Sequence, residues 1–185
     1  PRRKLGVAAK TRQRTERANV ITVEDPVERE IAGITQTALQ PNDGLTFAEG
    51  LRAVLQHDPD VVMVGELPDA QTAGLAVRAA LTGRRVLSST HTNDASSTIT
   101  RLLDLGIEPF FLCSTLTGVL AQRLVRRLCI ACREALPLEA ANFEALGLTV
   151  PKLSGKMRLW KATGCDRCRQ TGYQGRTGIF ELLVV

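Results

Sequence analysis

Short unbroken apolar runs alternate along this chain with stretches whose apolar residues recur every three or four positions. Val20-Ile-Thr-Val23 and Val61–Val64 are β-branched runs of strand length, and residues 31–39 and 85–89 suggest two more strands. Between them the period changes. Thr46-Phe-Ala-Glu49 is a capping-box signature that opens a helix to about Gln56, with Phe47, Leu51, Val54 and Leu55 on one face. Asp69 caps a second helix through Leu81, with Gly83 beyond its end, and Asn93 or Asp94 caps a third to about Leu105, stopped by Gly106. Pro109 starts a last long helix whose apolar positions reach Leu128, while Pro41-Asn-Asp-Gly44 reads as a turn. Strands alternating with helices predict an α/β fold with a mainly parallel sheet.

Three of these strands end in side chains able to do chemistry. Val20–Val23 runs into Glu24 and Asp25, where Pro26 stops the ladder. Val61–Val64 runs into Gly65 and Glu66, and the strand at 85–89 runs into Thr90-His91-Thr92. Open parallel sheets bind ligands at the carboxyl ends of their strands, and a carboxylate there can orient or deprotonate a water. Taken singly, each group has a blander reading: a solvated acidic strand end, or a hydrogen-bonded structural histidine. Their joint placement is what points to a site.

Charge narrows the partners. The net charge is +5, but residues 1–19 hold seven Lys or Arg against one Glu, whereas the remainder holds 17 basic and 18 acidic residues. The basic excess therefore belongs to a leading segment expected to be poorly ordered, and the body lacks the charge and stacking aromatics of a nucleic-acid binder. No apolar stretch approaches the ~20 residues that span a bilayer. With no signal peptide visible at the start, a cytosolic compartment is the default expectation.

Four of the five cysteines form two Cys-x-x-Cys pairs, Cys129/Cys132 and Cys165/Cys168, separated by 32 residues. Two such knuckles can offer four thiolates in a tetrahedron, the donor set of structural zinc, with a redox dithiol as the rival reading. Arg126, Arg127, Arg133, Arg167 and Arg169 lie close enough in sequence to offset the charge of such a centre. Cys113 stands apart in an apolar helix and is expected to be buried packing. Residues 134–163 read as a small helical or irregular insertion with Phe143, Leu146 and Leu148 as a minor core. Thr171–Gly178 reads as turn-rich and 179–185 as a terminal strand.

Several separated motifs resemble those of the type II secretion and type IV pilus assembly ATPases. Val20–Glu28 (VITVEDPVE) is similar to their aspartate box, Asp58–Asp69 (DPDVVMVGELPD) to their Walker B segment, and Ser88–Ala95 (SSTHTNDA) to their histidine box. Ala121–Arg127 (AQRLVRR) also matches, and the resemblance covers roughly residues 20–185. It implies a RecA-like P-loop NTPase core at 20–126, a tetracysteine zinc-binding insertion at 127–178 and a hexameric motor at the cytoplasmic face of the inner membrane. Partners would be other copies of the chain and the inner-membrane platform proteins of a secretion or pilus system. The implied cofactors are ATP, Mg²⁺ and Zn²⁺. Glu66 would position the attacking water, Glu24, Asp25 and Glu28 would hold the magnesium ion and its water network, and His91 would contact the γ-phosphate.

The sequence also departs from the family. It contains no G-x-x-x-x-G-K-[ST] phosphate loop, and Gln56 and Pro68 stand where the family usually has arginine. Residues 1–185 alone are therefore expected to bind ATP weakly or not at all and to hydrolyse it negligibly. A degenerate, non-catalytic subunit of the same assembly is the alternative the residues leave open.

Overall fold

The computed structural model describes residues 18–39, 44–136 and 159–185. The leading segment up to residue 17, the turn residues 40–43, and Phe143, Leu146 and Leu148 lie outside the described residues. Contacts divide the chain into two compact units, Pro1–Arg123 with Phe180–Val185, and Leu124–Ile179.

The first unit is built on a four-stranded sheet, β1 (Val20–Glu24), β2 (Thr35–Ala38), β3 (Val61–Val64) and β4 (Arg85–Ser88), in the order β2-β1-β3-β4. Every neighbouring pair is parallel. Side chains alternate across a pleated strand, so Ile21 and Val23 of β1 share a face with Val62 and Val64 of β3. They pack there against Leu39, against Phe47, Leu51 and Val54 of α1 (Phe47–Leu55), and against Leu75 and Ala76 of α2 (Ala70–Leu81). Burying an aliphatic side chain such as Leu51 contributes roughly 1.5–3 kcal/mol. A second cluster, Ala73, Leu102, Leu105, Ile107 and Leu112, joins α2 to α3 (Ser96–Asp104) and α4 (Pro109–Thr115).

The helix starts follow the sequence closely. Thr46 and Glu49 form the reciprocal capping box of α1, with the Glu49 N–H donating to Thr46 Oγ1 at 3.2 Å and the Thr46 N–H to Glu49 Oε2 at 2.9 Å. Asp69 Oδ1 accepts the Thr72 N–H at 2.7 Å at the head of α2, and Asp94 Oδ1 accepts the Ser97 N–H at 2.7 Å at the head of α3.

Four expectations need correction. The helix from Pro109 ends at Thr115, and Gly118–Leu128 is a strand, β5, instead of its continuation. Its partner is β8 (Tyr173–Val184), so the terminal strand begins at Tyr173, inside the stretch read as turns. The pairing of β5 with β8 supplies backbone hydrogen bonds that no local pattern reveals, and it overrides a helix-like apolar spacing. The ends of the insertion are strands too: β6 (Glu134–Leu136) pairs antiparallel with β7 (Leu159–Lys161). Cys113 is exposed, because α4 is a single short piece that turns Leu112 inward and its neighbour outward.

Candidate functional site

Strand register delivers the sequence-predicted groups to one rim. Val23 of β1 pairs with Val64 of β3, which pairs with Ser88 of β4. Beyond that level the Gly65 N–H donates to the Val23 carbonyl at 2.8 Å, and Ser89 Oγ donates to the Gly65 carbonyl at 2.6 Å. Asp25, Glu66 and the segment leading to His91 therefore leave three adjacent strands at their carboxyl ends. Gly65 suits this closeness: a Cβ there would sit 3.2 Å from the Val23 carbonyl oxygen, a tight contact, and 3.5 Å from the Phe47 ring. Glu66 and His91 meet directly, with Oε2 and Nε2 3.5 Å apart. Both side chains are substantially exposed, 42% and 78%, so the contact adds little to stability. They line a shallow hollow of about 310 Å³ with Leu67, Pro68, Thr90 and Arg101. Arg101, on α3, was not singled out from the sequence, since its position in a helix gives no local sign of where it points.

The acids of the β1 end are not equivalent. Glu24 is 7% exposed, and its Oε1 accepts the Thr22 hydroxyl at 2.6 Å and the Gln36 amide at 2.9 Å. Gln36 also donates to the Arg29 carbonyl at 3.2 Å and accepts the Ile31 N–H at 2.7 Å, so it ties Glu24 to the connection that follows β1. Asp25 and Glu28 are exposed on that connection. The alternation along TQTA hinted that Gln36 faces away from Thr35 and Thr37, but nothing in the sequence paired it with Glu24.

The segment after His91 is ordered by short-range polar bonds. Thr92 Oγ1 and Thr98 Oγ1 lie 2.8 Å apart, and Ser96 Oγ donates to Asp94 Oδ1 at 2.9 Å. The Ser97 hydroxyl and N–H, with the Ser96 hydroxyl, hold the Asp94 carboxyl below the ordinary carboxylate range. A larger hollow of about 430 Å³, with Asn19, Ile21, Thr35, Thr37, Val54 and His57 in its walls, is lined by no carboxylate among the described residues.

In the second unit, the Sγ atoms of Cys129, Cys132, Cys165 and Cys168 all lie within 4.8 Å of one another. Three separations are 3.9 Å (Cys129–Cys165), 3.8 Å (Cys132–Cys168) and 3.8 Å (Cys165–Cys168). A tetrahedral centre with metal–sulfur bonds near 2.3 Å requires sulfurs ~3.8 Å apart, whereas a disulfide requires about 2.05 Å. The donor set therefore fits a tetrahedral thiophilic metal. Backbone N–H groups point at the sulfur of Cys168, from Cys165 at 3.2 Å and Gly172 at 3.2 Å. Burial opposes ionisation of Cys168, but these N–H groups and the neighbouring thiols outweigh it and lower its pKa to about 6. For Cys165 the Cys168 backbone favours the thiolate, yet burial and the thiols of Cys132 and Cys168 prevail and raise the pKa to about 11. A thiophilic metal bound here would take its ligands as thiolates and release protons on binding. Arg126 stacks on Tyr173 with its guanidinium carbon 3.9 Å from the ring centre, and Arg133 stacks on Trp160 at 4.4 Å. Two of the nearby arginines are thus held in place by aromatic faces.

Comparison with known proteins shows the family. The family model described as Type II/IV secretion system protein matches residues 6–185. The chain is 55% identical over 167 residues to the type II secretion system ATPase E of Vibrio cholerae, covering 90% of this chain and 33% of that protein. It is 52% identical over 167 residues to the type IV pilus assembly ATPase PilB of Thermus thermophilus, covering 90% of this chain and 19% of that one. It thus spans about a third or less of the length of these relatives. Among solved structures, the pilus retraction motor PilT with bound ADP superposes with a TM-score of 0.57 at 34% identity, covering 66% of this chain and 38% of that chain. The VirB11 ATPase of Brucella suis, at 19% identity and a TM-score of 0.55 over 64% of this chain and 39% of that one, shares the fold. With the family model covering nearly every residue, and acids, histidine and cysteines arranged as described, the chain belongs to the Type II/IV secretion system protein family.

Proposed function

We propose that this chain is the part of a motor ATPase that carries the water-activating rim and the cysteine centre, in a machine for type II protein secretion or type IV pilus assembly. The observation that carries the reading is the Glu66–His91 contact at 3.5 Å on the same rim as Asp25. Glu66 is the carboxylate that orients the attacking water, and its exposure leaves room for one. Asp25 and Glu28 supply exposed negative charge beside it for a magnesium ion, with Glu24 behind them as a buried hydrogen-bonded support. His91 Nε2 presents to the transferring phosphate, and Arg101 adds the fixed cation of the hollow. Magnesium, when bound, neutralises charge on the phosphate oxygens.

The phosphate loop absent from the sequence would supply the backbone N–H cradle and the lysine that hold the β- and γ-phosphates. The rim groups alone do not replace them, so the 185-residue chain binds nucleotide weakly. Working as a ring, with the bound nucleotide between subunits and the machine docked on an inner-membrane platform at its cytoplasmic face, follows from the same reading. Cys129, Cys132, Cys165 and Cys168 hold zinc, which in a closed four-sulfur site supports folding and leaves no position for a reacting water.

A chimera tests the assignment. Residues 20–185 take the place of the matching segment of the Vibrio cholerae ATPase, whose own preceding portion remains. ATP turnover is expected, and Glu66→Gln should lower kcat by about 10²–10³, the size of losing one transition-state-stabilising group. A Glu66→Gln chimera that turns over at the unmutated rate contradicts the proposal.

A further inference from the structure

We infer that Arg123 and Glu181 are positioning residues for His91, acting from the β5–β8 ribbon on the loop that carries the imidazole. The Arg123 guanidinium donates two hydrogen bonds to the carbonyl oxygen of Asn93, from Nη2 at 2.7 Å and Nε at 3.1 Å. Glu181 Oε2 accepts the N–H of Ala95 at 3.2 Å. The two side chains thus grip the backbone on either side of Asp94, one at a C=O and the other at an N–H. They come from positions 30 and 86 residues away in sequence from the groups they hold.

The chemistry suits a clamp. Both contacts are charge-assisted, and such bonds are roughly twice as strong as neutral ones. The Ala95 N–H lies at the start of α3, where a helix leaves its first donors without partners, and Ala95 is fully buried. Without Glu181 that donor loses its charged acceptor. The loop's internal bonds, Thr92 to Thr98 and Asp94 to Ser96 and Ser97, shape it locally. Ser89 fixes its root on the Gly65 carbonyl, next to Glu66. The grip of Arg123 and Glu181 fixes its far end, so the imidazole between these anchors has a restricted set of positions relative to the Glu66 carboxylate. His91 is 78% exposed at its side chain, so packing alone does not fix it, and the backbone placement of its loop contributes.

The inference rests on the reading of Glu66 and His91 as the hydrolytic pair, but its test does not. The chain contains two histidines, His57 and His91, so the imidazole resonances of the 185-residue protein can be followed individually by NMR. In Arg123→Met and in Glu181→Ala, the His91 resonance should shift and lose its single sharp form, while that of His57 stays in place. Glu181→Gln keeps a carbonyl acceptor and should restore the wild-type His91 signal. If Arg123→Met fails to fold, Glu181→Ala and its glutamine rescue carry the test alone. An unchanged His91 signal in Glu181→Ala, with faster exchange of the Ala95 amide proving that its hydrogen bond is broken, overturns the clamp. So does a disturbance of His91 that Glu181→Gln does not reverse. Failure of the hydrolytic reading shows separately, as unchanged turnover in the Glu66→Gln chimera.

Discussion

Glu24 and Asp25 are adjacent acids with opposite fates, and the difference is one step of a pleated strand. Glu24 shares its face with Thr22 and is held by the Thr22 hydroxyl and the Gln36 amide, while Asp25 reaches solvent beyond the last pairing. Removing the buried carboxylate leaves the Gln36 amide without this acceptor, so Glu24→Leu should destabilise the fold by about 1–3 kcal/mol. Urea unfolding checks it, and an Asp25→Leu control should fall within about 0.5 kcal/mol of wild type. Asp94 offers a pH test. Its folded value lies below the ordinary carboxylate pKa of about 3.9. Its contribution is therefore fully present above that value and is lost as pH falls through the lowered one. The Ser97 amide should lose protection over that acid range in the wild type and show no such step in Asp94→Asn. At this scale the sequence was informative about which residue types matter, because acids and histidine at strand ends are visible one strand at a time. It could not show that Glu24 is turned inward onto Gln36, since that depends on β2 pairing with β1.

Elements whose signals are local were readable, and those defined by distant partners were not. Caps at Thr46 and Asp69 and the β-branched runs of β1 and β3 need only a few neighbouring residues to declare themselves. Strand β5 needs β8, some fifty residues on, and its valine and leucine spacing mimics a helix until that partner is present. Leu51 is the best single probe of the element packing. It is fully buried where α1 meets the sheet, and Leu51→Ala should cost about 2–5 kcal/mol in urea unfolding. Gly172 is the corresponding probe in the second unit. Its φ is +73°, a Cβ would meet Ala162 Cβ at 2.6 Å, and its N–H points at the Cys168 sulfur. Gly172→Ala should weaken metal retention as well as stability, whereas Gly175→Ala, at φ +76° but in open space, should show only the backbone strain. Equal losses at the two glycines would show that the close approach at Gly172 is unimportant.

The whole molecule carries two sites of different kinds on one chain. On the proposed reading the cysteine centre is a folding device, so the purified chain should hold one zinc per chain. A strong chelator should collapse the NMR signals of residues 124–136 and 159–179 while those of β1, β3 and α1 persist. Cys129→Ser should behave like the chelated protein, and signals that survive chelation unchanged would remove the structural role. On the same reading the rim is the functional device, and the central claim is that Asp25, Glu66 and His91 serve one bound nucleotide. Paramagnetic relaxation by manganese-ADP, measured on the zinc-loaded chain at millimolar nucleotide and corrected with manganese alone, tests that claim most directly. The amides of Asp25, Glu66 and His91 should broaden together and well before those lining the hollow around His57. Broadening centred on His57, or at any place other than the three rim residues, would contradict it.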